Sequence, residues 1–391
     1  MIPRNSTTES FSKSMGKREL VLILVFVGLG FCVYQLTAPP PPPGSEGISL
    51  SGIFRNMRRG IQGARESATA DSQQTAAVDA AVKELRVNIN RSSDLTVTGE
   101  DRTDIAAEMH LTARGYDQFE AKASAGATTL KIERVGDAMV VSLDSSAGRS
   151  MPRNNYVSQM VILLKVPKRM AMRMEPHSGR LIVSRVGSSE IMGSRGETRI
   201  SGMTGRLILT HSGGSLELAD ILSLKLNARN SRGTVKQVKG PMTMDAVGGD
   251  LTLSEIVGPL EVEARNTDLR IDDAKELKGP LRVNSVSGEL RIDGLRSEAR
   301  LDGRNTTIDV SFAAPAPVTI YNVGGIRVTP PPGGYTLDAL ATDGRLGIED
   351  GGLEPSEGAD PRASGPVRGG GPTLTLRATR GSITVRKLAG K

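Results

Sequence analysis

From Gly179 to Lys391 the chain repeats one short pattern: alternating apolar and polar residues, a Gly or Asn turn, a second alternating stretch and another Gly. Aligned on their first apolar residue, the copies read LILTHSGGSLEL from Leu207, LKLNARNSRGTV from Leu224, MTMDAVGGDLTL from Met242 and LEVEARNTDLRI from Leu260. LRVNSVSGELRI from Leu281, ARLDGRNTTIDV from Ala299, VTIYNVGGIRV from Val318 and LTLRATRGSITV from Leu374 continue the series. Starts fall roughly every 17 to 21 residues as far as Val318, too short for helical hairpin repeats and right for one turn of a β-solenoid. Positions one and three are apolar while two and four are polar, the period-two mark of a strand with one buried face.

Gly213, Asn230, Gly248, Asn266, Ser287, Asn305 and Gly324 share the seventh position. The pattern predicts a turn there that demands positive φ. A second period overlies the first. Arg229, Arg265 and Arg304 precede the turn Asn in alternate copies, and Val247, Val286 and Val323 precede a Gly or Ser in those between. Either a coil pair was duplicated, or each coil is slightly flattened with two unlike corners. The predicted fold class is therefore all-β, a β-solenoid or β-helix-like stack of short coils, with each coil dependent on its neighbours for burial.

Leu20 to Ala38 (LVLILVFVGLGFCVYQLTA) carries no charge and is long enough, at about 28 Å, to cross a bilayer as one transmembrane α-helix. Arg4, Lys13, Lys17 and Arg18 precede it and the next basic residue is Arg55, so the positive-inside rule places residues 1–19 in the cytoplasm and the rest outside. Pro39 to Pro43 follow at once, where a signal peptidase would need a permissive residue, so the segment is expected to be retained. Cys32, the one cysteine, excludes an intrachain disulfide and reads as an apolar filler of the span.

Residues 39–84 read as a proline spacer and stalk. Pro39 to Pro43 predict a short polyproline II segment, and 64–82, rich in Ala, Ser, Thr and Gln, predicts a hinge or loose helix. Between them, Ile48, Phe54, Met57 and Ile61 alternate with Arg55, Arg58, Arg59 and Arg65. This suits an amphipathic helix on anionic headgroups or a polar linker. Residues 85–178 predict looser strands that cap the N-terminal end of the regular repeats at 179–391. A Gly- and Pro-rich run at 351–372 predicts a flexible loop in or between the last coils.

Composition adjusts this picture. The formal charge of +7 favours anionic neighbours such as lipid headgroups or acidic polymers. With 50 basic against 43 acidic residues and no dense Lys/Arg block, no nucleic-acid partner is expected. Aromatics make up 3% and Trp is absent, so the stacking platform usual in glycan grooves is missing from the sequence.

The strand ending at Val166 and Pro167, followed by KRMAMRMEPHSGRLIV and a train of L-x-V-x-x-x-x-G-x-L-x-I units, resembles the bacterial putative-adhesin family, a domain of unknown function. The resemblance covers roughly 85–391 and implies a β-solenoid of the cell envelope behind a membrane anchor or signal sequence. It implies no catalytic residues, since that family has none defined. The 351–372 run and the extended stalk depart from the simplest members.

His110, His177 and His211 lack metal-binding spacing. His211, near a corner, reads as an exposed turn residue. No nucleophile elbow, P-loop or C-x-x-C occurs. Asp245, Glu263, Asp302 and Asp338, with Asn227 and Asn284, are assigned to the outward fourth position and predict an acidic and amide stripe diluted by Thr210, Tyr321 and Arg377. Such stripes bind Ca²⁺ or pair acid with base in some β-helix enzymes. Here Arg229, Arg265 and Arg304 lie two positions away and favour a solvated face.

No catalytic, cofactor-binding or metal residue is assigned, no cofactor is expected, and the chain is expected not to be an enzyme. The expectation is a single-pass inner-membrane protein, cytoplasmic at its N-terminus, with a periplasmic or extracellular solenoid acting as a structural or adhesin-like interaction module. Its partners would be the membrane, through the N-terminal helix, and an unknown protein or polysaccharide. The alternatives are an envelope-stress or signalling accessory binding a membrane partner and, less favoured, a polysaccharide-acting enzyme.

Overall fold

The computed structural model describes residues 22, 25–30, 66–144 and 156–388 of the chain. It divides into residues 1–62 and 63–391. In the first unit, Leu22 and Val25–Gly30 are helical. The rest of the predicted span, the proline spacer and the basic segment 48–65 lie outside the described residues. Among the described residues no helix is long and apolar enough to cross a membrane.

Among its described residues the second unit is all-β apart from one short α-helix and a 3₁₀ turn. Successive copies pair in parallel and in register. Leu224 lies opposite Met242, Met242 opposite Leu260, Leu260 opposite Leu281, Leu281 opposite Ala299 and Ala299 opposite Val318. Burial follows the period of two: in Leu260–Asp272, Leu260, Val262 and Ala264 are buried while Glu261, Glu263 and Arg265 are exposed. Each buried Leu, Val or Ile contributes about 1.5–3 kcal/mol by leaving water. The inward residues of all the coils merge into one core that runs from Ala68 to Val385.

The seventh position carries positive φ in all seven copies: 76° at Gly213, 48° at Asn230, 73° at Gly248, 50° at Asn266, 61° at Ser287, 52° at Asn305 and 147° at Gly324. The two-copy period has a physical basis at this corner. In alternate coils a turn Asn is followed by a buried Ser231, Thr267 or Thr306, whose hydroxyl donates to the carbonyl of Arg229, Arg265 or Arg304 at 3.0, 2.9 and 3.2 Å. In the coils starting at Met242 and Leu281, Gly248–Gly249 and Ser287–Gly288 place two residues in succession at positive φ. A β-carbon on Gly249 would meet the carbonyl oxygen of Ser231 at 2.0 Å, so the second turn admits no side chain there. The alternation is thus two kinds of turn nested at one corner along the stack.

Both ends depart from chain order. At the N-terminal side, the coil formed by Glu84–Asn88 and Asp94–Glu100 lies between the coil of Ala171–Met174 and Leu181–Ser184 and that of Ala138–Asp144 and Tyr156–Pro167. Antiparallel strands close this end: Asp104–Gly115 against Tyr156–Pro167, Glu66–Ala77 against Asp104–Gly115, and Thr129–Val135 against Ala138–Asp144. The helix Gln118–Gly126 buries Ala121, Ser124 and Ala125 at this end, with the Asp117 side chain accepting from the Glu120 amide at 2.8 Å.

Glu66–Ala77 is therefore a twelve-residue strand where the sequence predicts a hinge or loose helix. Its full-length ladder with Asp104–Gly115 supplies the order that its Ser, Thr and Gln side chains do not signal. At the other end, Leu374 lies between Val318 and Leu337, and Ile383 between Ile326 and Leu346. Within the predicted loop 351–372, Arg362–Val367 forms a strand antiparallel to Tyr335–Thr342. Backbone pairing along that outer strand overrides the Gly and Pro content.

Candidate functional site

Outward side chains of the in-register strands form rows along the stack. The fourth-position row runs Asn227, Asp245, Glu263, Asn284, Asp302, Tyr321 and Arg377. Asp338, assigned to this row from the sequence, pairs with Thr375 instead and belongs to the row two positions away. The strand Tyr335–Thr342 joins the stack through Leu337 opposite Leu374, a register that its sequence does not disclose. Asp338 accepts ion pairs from Arg377 and, at 3.4 Å, from Arg362, and the Arg377 hydrogen bond holds its carboxyl below the usual carboxylate range.

The rest of the acidic stripe does not converge. Glu263 pairs with Arg265 at 3.3 Å and Asp302 with Arg300 at 2.9 Å. No group of three metal-ligating side chains occurs among the described residues. A depression of about 640 Å³ lies where Asp220, Gln237, Glu255 and Asp273 stack at another positive-φ corner. Lys239 and Lys275 pair with Asp220 and Asp273 at 2.6 and 3.3 Å, and Gln237 donates to Glu255 at 2.9 Å.

The histidines are dispersed. His110 sits on the exposed face of Asp104–Gly115, 2.5 Å from Asp71. His211 is fully buried, contrary to the expected exposed turn, because the fifth position points inward like the first and third. Its Nδ1 lies 2.7 Å from Ser231 Oγ and its Nε2 3.3 Å from the Gly196 carbonyl. His177 is buried in the same column, and Ser194 lies opposite both rings. Burial holds both imidazoles below their usual 6.5. The column packs within the core, with both side chains buried.

One outward site combines an aromatic face with open charge. The sixth-position row alternates Arg229, Val247, Arg265, Val286, Arg304 and Val323. Between it and the fourth-position row lies a depression of about 440 Å³, lined by Asn284, Asp302, Arg304, Tyr321, Asn322 and Arg377 among others. Tyr321 is 44% exposed, and the Arg300 guanidinium stands 5.6 Å from its ring centre. Arg304 is exposed and its guanidinium has no partner among the described residues. At the floor, the buried Asn322 donates to the carbonyls of Thr306 and Gly325 at 2.8 and 2.9 Å, while its Oδ1 is left without a partner against Gly303.

Sequence reasoning registered Tyr321 only as a dilution of the acidic row. The signal available was its place between Asp302 and Arg377, one coil from the unpaired Arg304. One exposed aromatic ring therefore stands on this face.

Comparisons with known proteins leave the assignment to these residues. No family model matches the chain, and no curated protein matches it. Among solved structures, a "putative cell adhesion protein" from Clostridium sporogenes is 10% identical over 81% of this chain and 100% of its own, with a TM-score of 0.18. A "putative adhesin" from Parabacteroides distasonis is 10% identical over 66% and 97%, with a TM-score of 0.35. A "putative lipid binding protein" from the same organism is 11% identical over 81% and 97%, with a TM-score of 0.24. Likenesses of this size carry no argument about what this chain does.

Proposed function

We propose that the chain is a non-catalytic interaction module of the cell envelope. In this reading a β-solenoid is carried outside the inner membrane by a single N-terminal helix, adhesin-like in presenting one long face to a partner. The observation that carries the reading is the shared register of the first six positions in the copies from Leu224 to Val318, which lines single outward positions up into rows along the stack. A rigid stack spreads weak contacts over many coils, which suits binding an extended partner better than enclosing a small one. The uncharged run 20–38 and the basic residues before it support the anchor and its orientation.

Membrane fractionation with protease accessibility tests this. The full chain should resist alkaline extraction from the inner membrane, and residues 66–388 should be cleaved by protease added to spheroplasts but not to inverted vesicles. Recovery of the chain in the soluble fraction would overturn the anchored reading.

A further inference from the structure

We propose that the Arg/Val row and the Tyr321 depression bind an extended acidic glycan laid along the stack, with a carboxylate on every second sugar. The inference rests on the presentation reading above and names the chemistry of the partner.

Three features converge on it. Parallel strands stand about 4.8 Å apart, so alternate coils place Arg229, Arg265 and Arg304 about 10 Å from one another. That step is close to two sugars of an extended β-linked chain. A polymer acidic at every second sugar would meet one guanidinium per repeat, its carboxylate replacing Glu263 on Arg265, with the half-buried Val247 and Val286 under the apolar ring faces between. Guanidinium suits this task because its planar fork binds a carboxylate through two hydrogen bonds.

At one end of the row, Tyr321 offers the flat face on which a sugar ring stacks. Arg304 is free to take that sugar's carboxylate. Arg300 and Arg377 are already engaged, with Asp302 and Asp338, and set the local field positive only in combination with Arg304. Beneath the ring, the buried Asn322 closes the floor by donating to the carbonyls of Thr306 and Gly325, so the depression keeps its shape without a ligand. The alternation that nests two turns at the corner therefore also sets the charge spacing of the face.

The test is titration calorimetry of the full chain in nanodiscs with hyaluronan oligosaccharides, which alternate acidic and neutral sugars. Chitin oligosaccharides of equal length serve as the neutral control. Hyaluronan should bind saturably, tighten with each added disaccharide up to about six sugars, and leave chitin inert. Arg304→Glu and Tyr321→Ala should each weaken binding about fivefold or more. Arg327→Glu, which makes the same charge change on another row, should leave it unchanged, and thermal melts should show all three variants folded.

A parallel titration with acidic polysaccharide from the producing cell distinguishes a self ligand from a foreign one. Saturable binding of either that is lost in Arg304→Glu supports the proposal. Absence of saturable binding, or equal losses in Arg304→Glu and Arg327→Glu, overturns it. Protease accessibility reads the presentation reading independently, so a correctly oriented chain that ignores acidic glycans sinks this inference alone.

Discussion

Asn230 and Gly248 hold the same turn position in consecutive coils, and a β-carbon on Gly248 would lie 2.6 Å from the Asn230 Oδ1. The amide of one turn thus fills the space that the next turn leaves empty. Gly248→Ala should cost about 1–2 kcal/mol, because φ is 73° and the Asn230 side chain must shift. Gly249→Ala should cost about 3 kcal/mol or more, since there the obstacle is backbone at 2.0 Å. Denaturant midpoints of the two variants check both the size and the order.

Mild acid should destabilise the fold through its buried imidazoles. His177 and His211 have depressed values in the folded chain, so below about pH 6.5 the unfolded chain takes up protons that the folded one refuses. Stability is fully present above that pH and falls as pH drops through the depressed values. Melting temperatures between pH 8 and 5 should show this slope, and the double variant His177→Asn, His211→Asn should flatten it.

At the alkaline end the relevant group is Tyr335. Its buried hydroxyl donates to Asp350 at 3.1 Å, and Arg368 pairs with the same carboxylate at 3.0 Å. Burial, reinforced by Asp350, raises the phenol above its usual 10.0. The neutral phenol stabilises the fold below pH 10, and that contribution is lost as pH rises from 10 through the raised value. Phenolate absorbance should show one of the five tyrosines titrating late, and Tyr335→Phe should remove that step.

Shortening one inward residue should weaken the whole stack. Leu281 lies between Leu260 and Ala299 with no exposed surface, so Leu281→Ala should cost about 2–5 kcal/mol. Because each coil buries its face against two others, the unfolding transition should move as a unit rather than split. Calorimetry distinguishes the two outcomes.

Much of the middle of the fold is legible in the sequence. Alternation marks the strands, and the seventh-position residues Asn230, Asn266 and Asn305 mark the turns, because both depend on contacts within one coil or its neighbour. What depends on distant pairing is not legible. Glu66–Ala77 buries only Ala68 fully and takes its order from a ladder to Asp104–Gly115. The displacement of Asp338 by two positions follows from where Leu337 docks, far from it in sequence. His211 is different: its odd position already pointed inward, and nearness to a corner was the weaker guide.

For the surface, the alternation of Arg and Val is readable in advance, but its geometry is not. Only the register of Ala299 against Val318 sets Tyr321 beside Asp302 and one coil from Arg304.

The tucked coils at both ends bear on how the protein is made. A ribosome delivers Glu84–Glu100 before the strands that flank it, and Leu374–Val385 after both of its neighbours are already waiting. Until the last strand arrives, Val318, Ile320 and Leu337 have no partner on one side. The nascent chain therefore travels with an apolar seam open, which a holding chaperone can recognise, and that seam closes only once Leu374–Val385 has emerged.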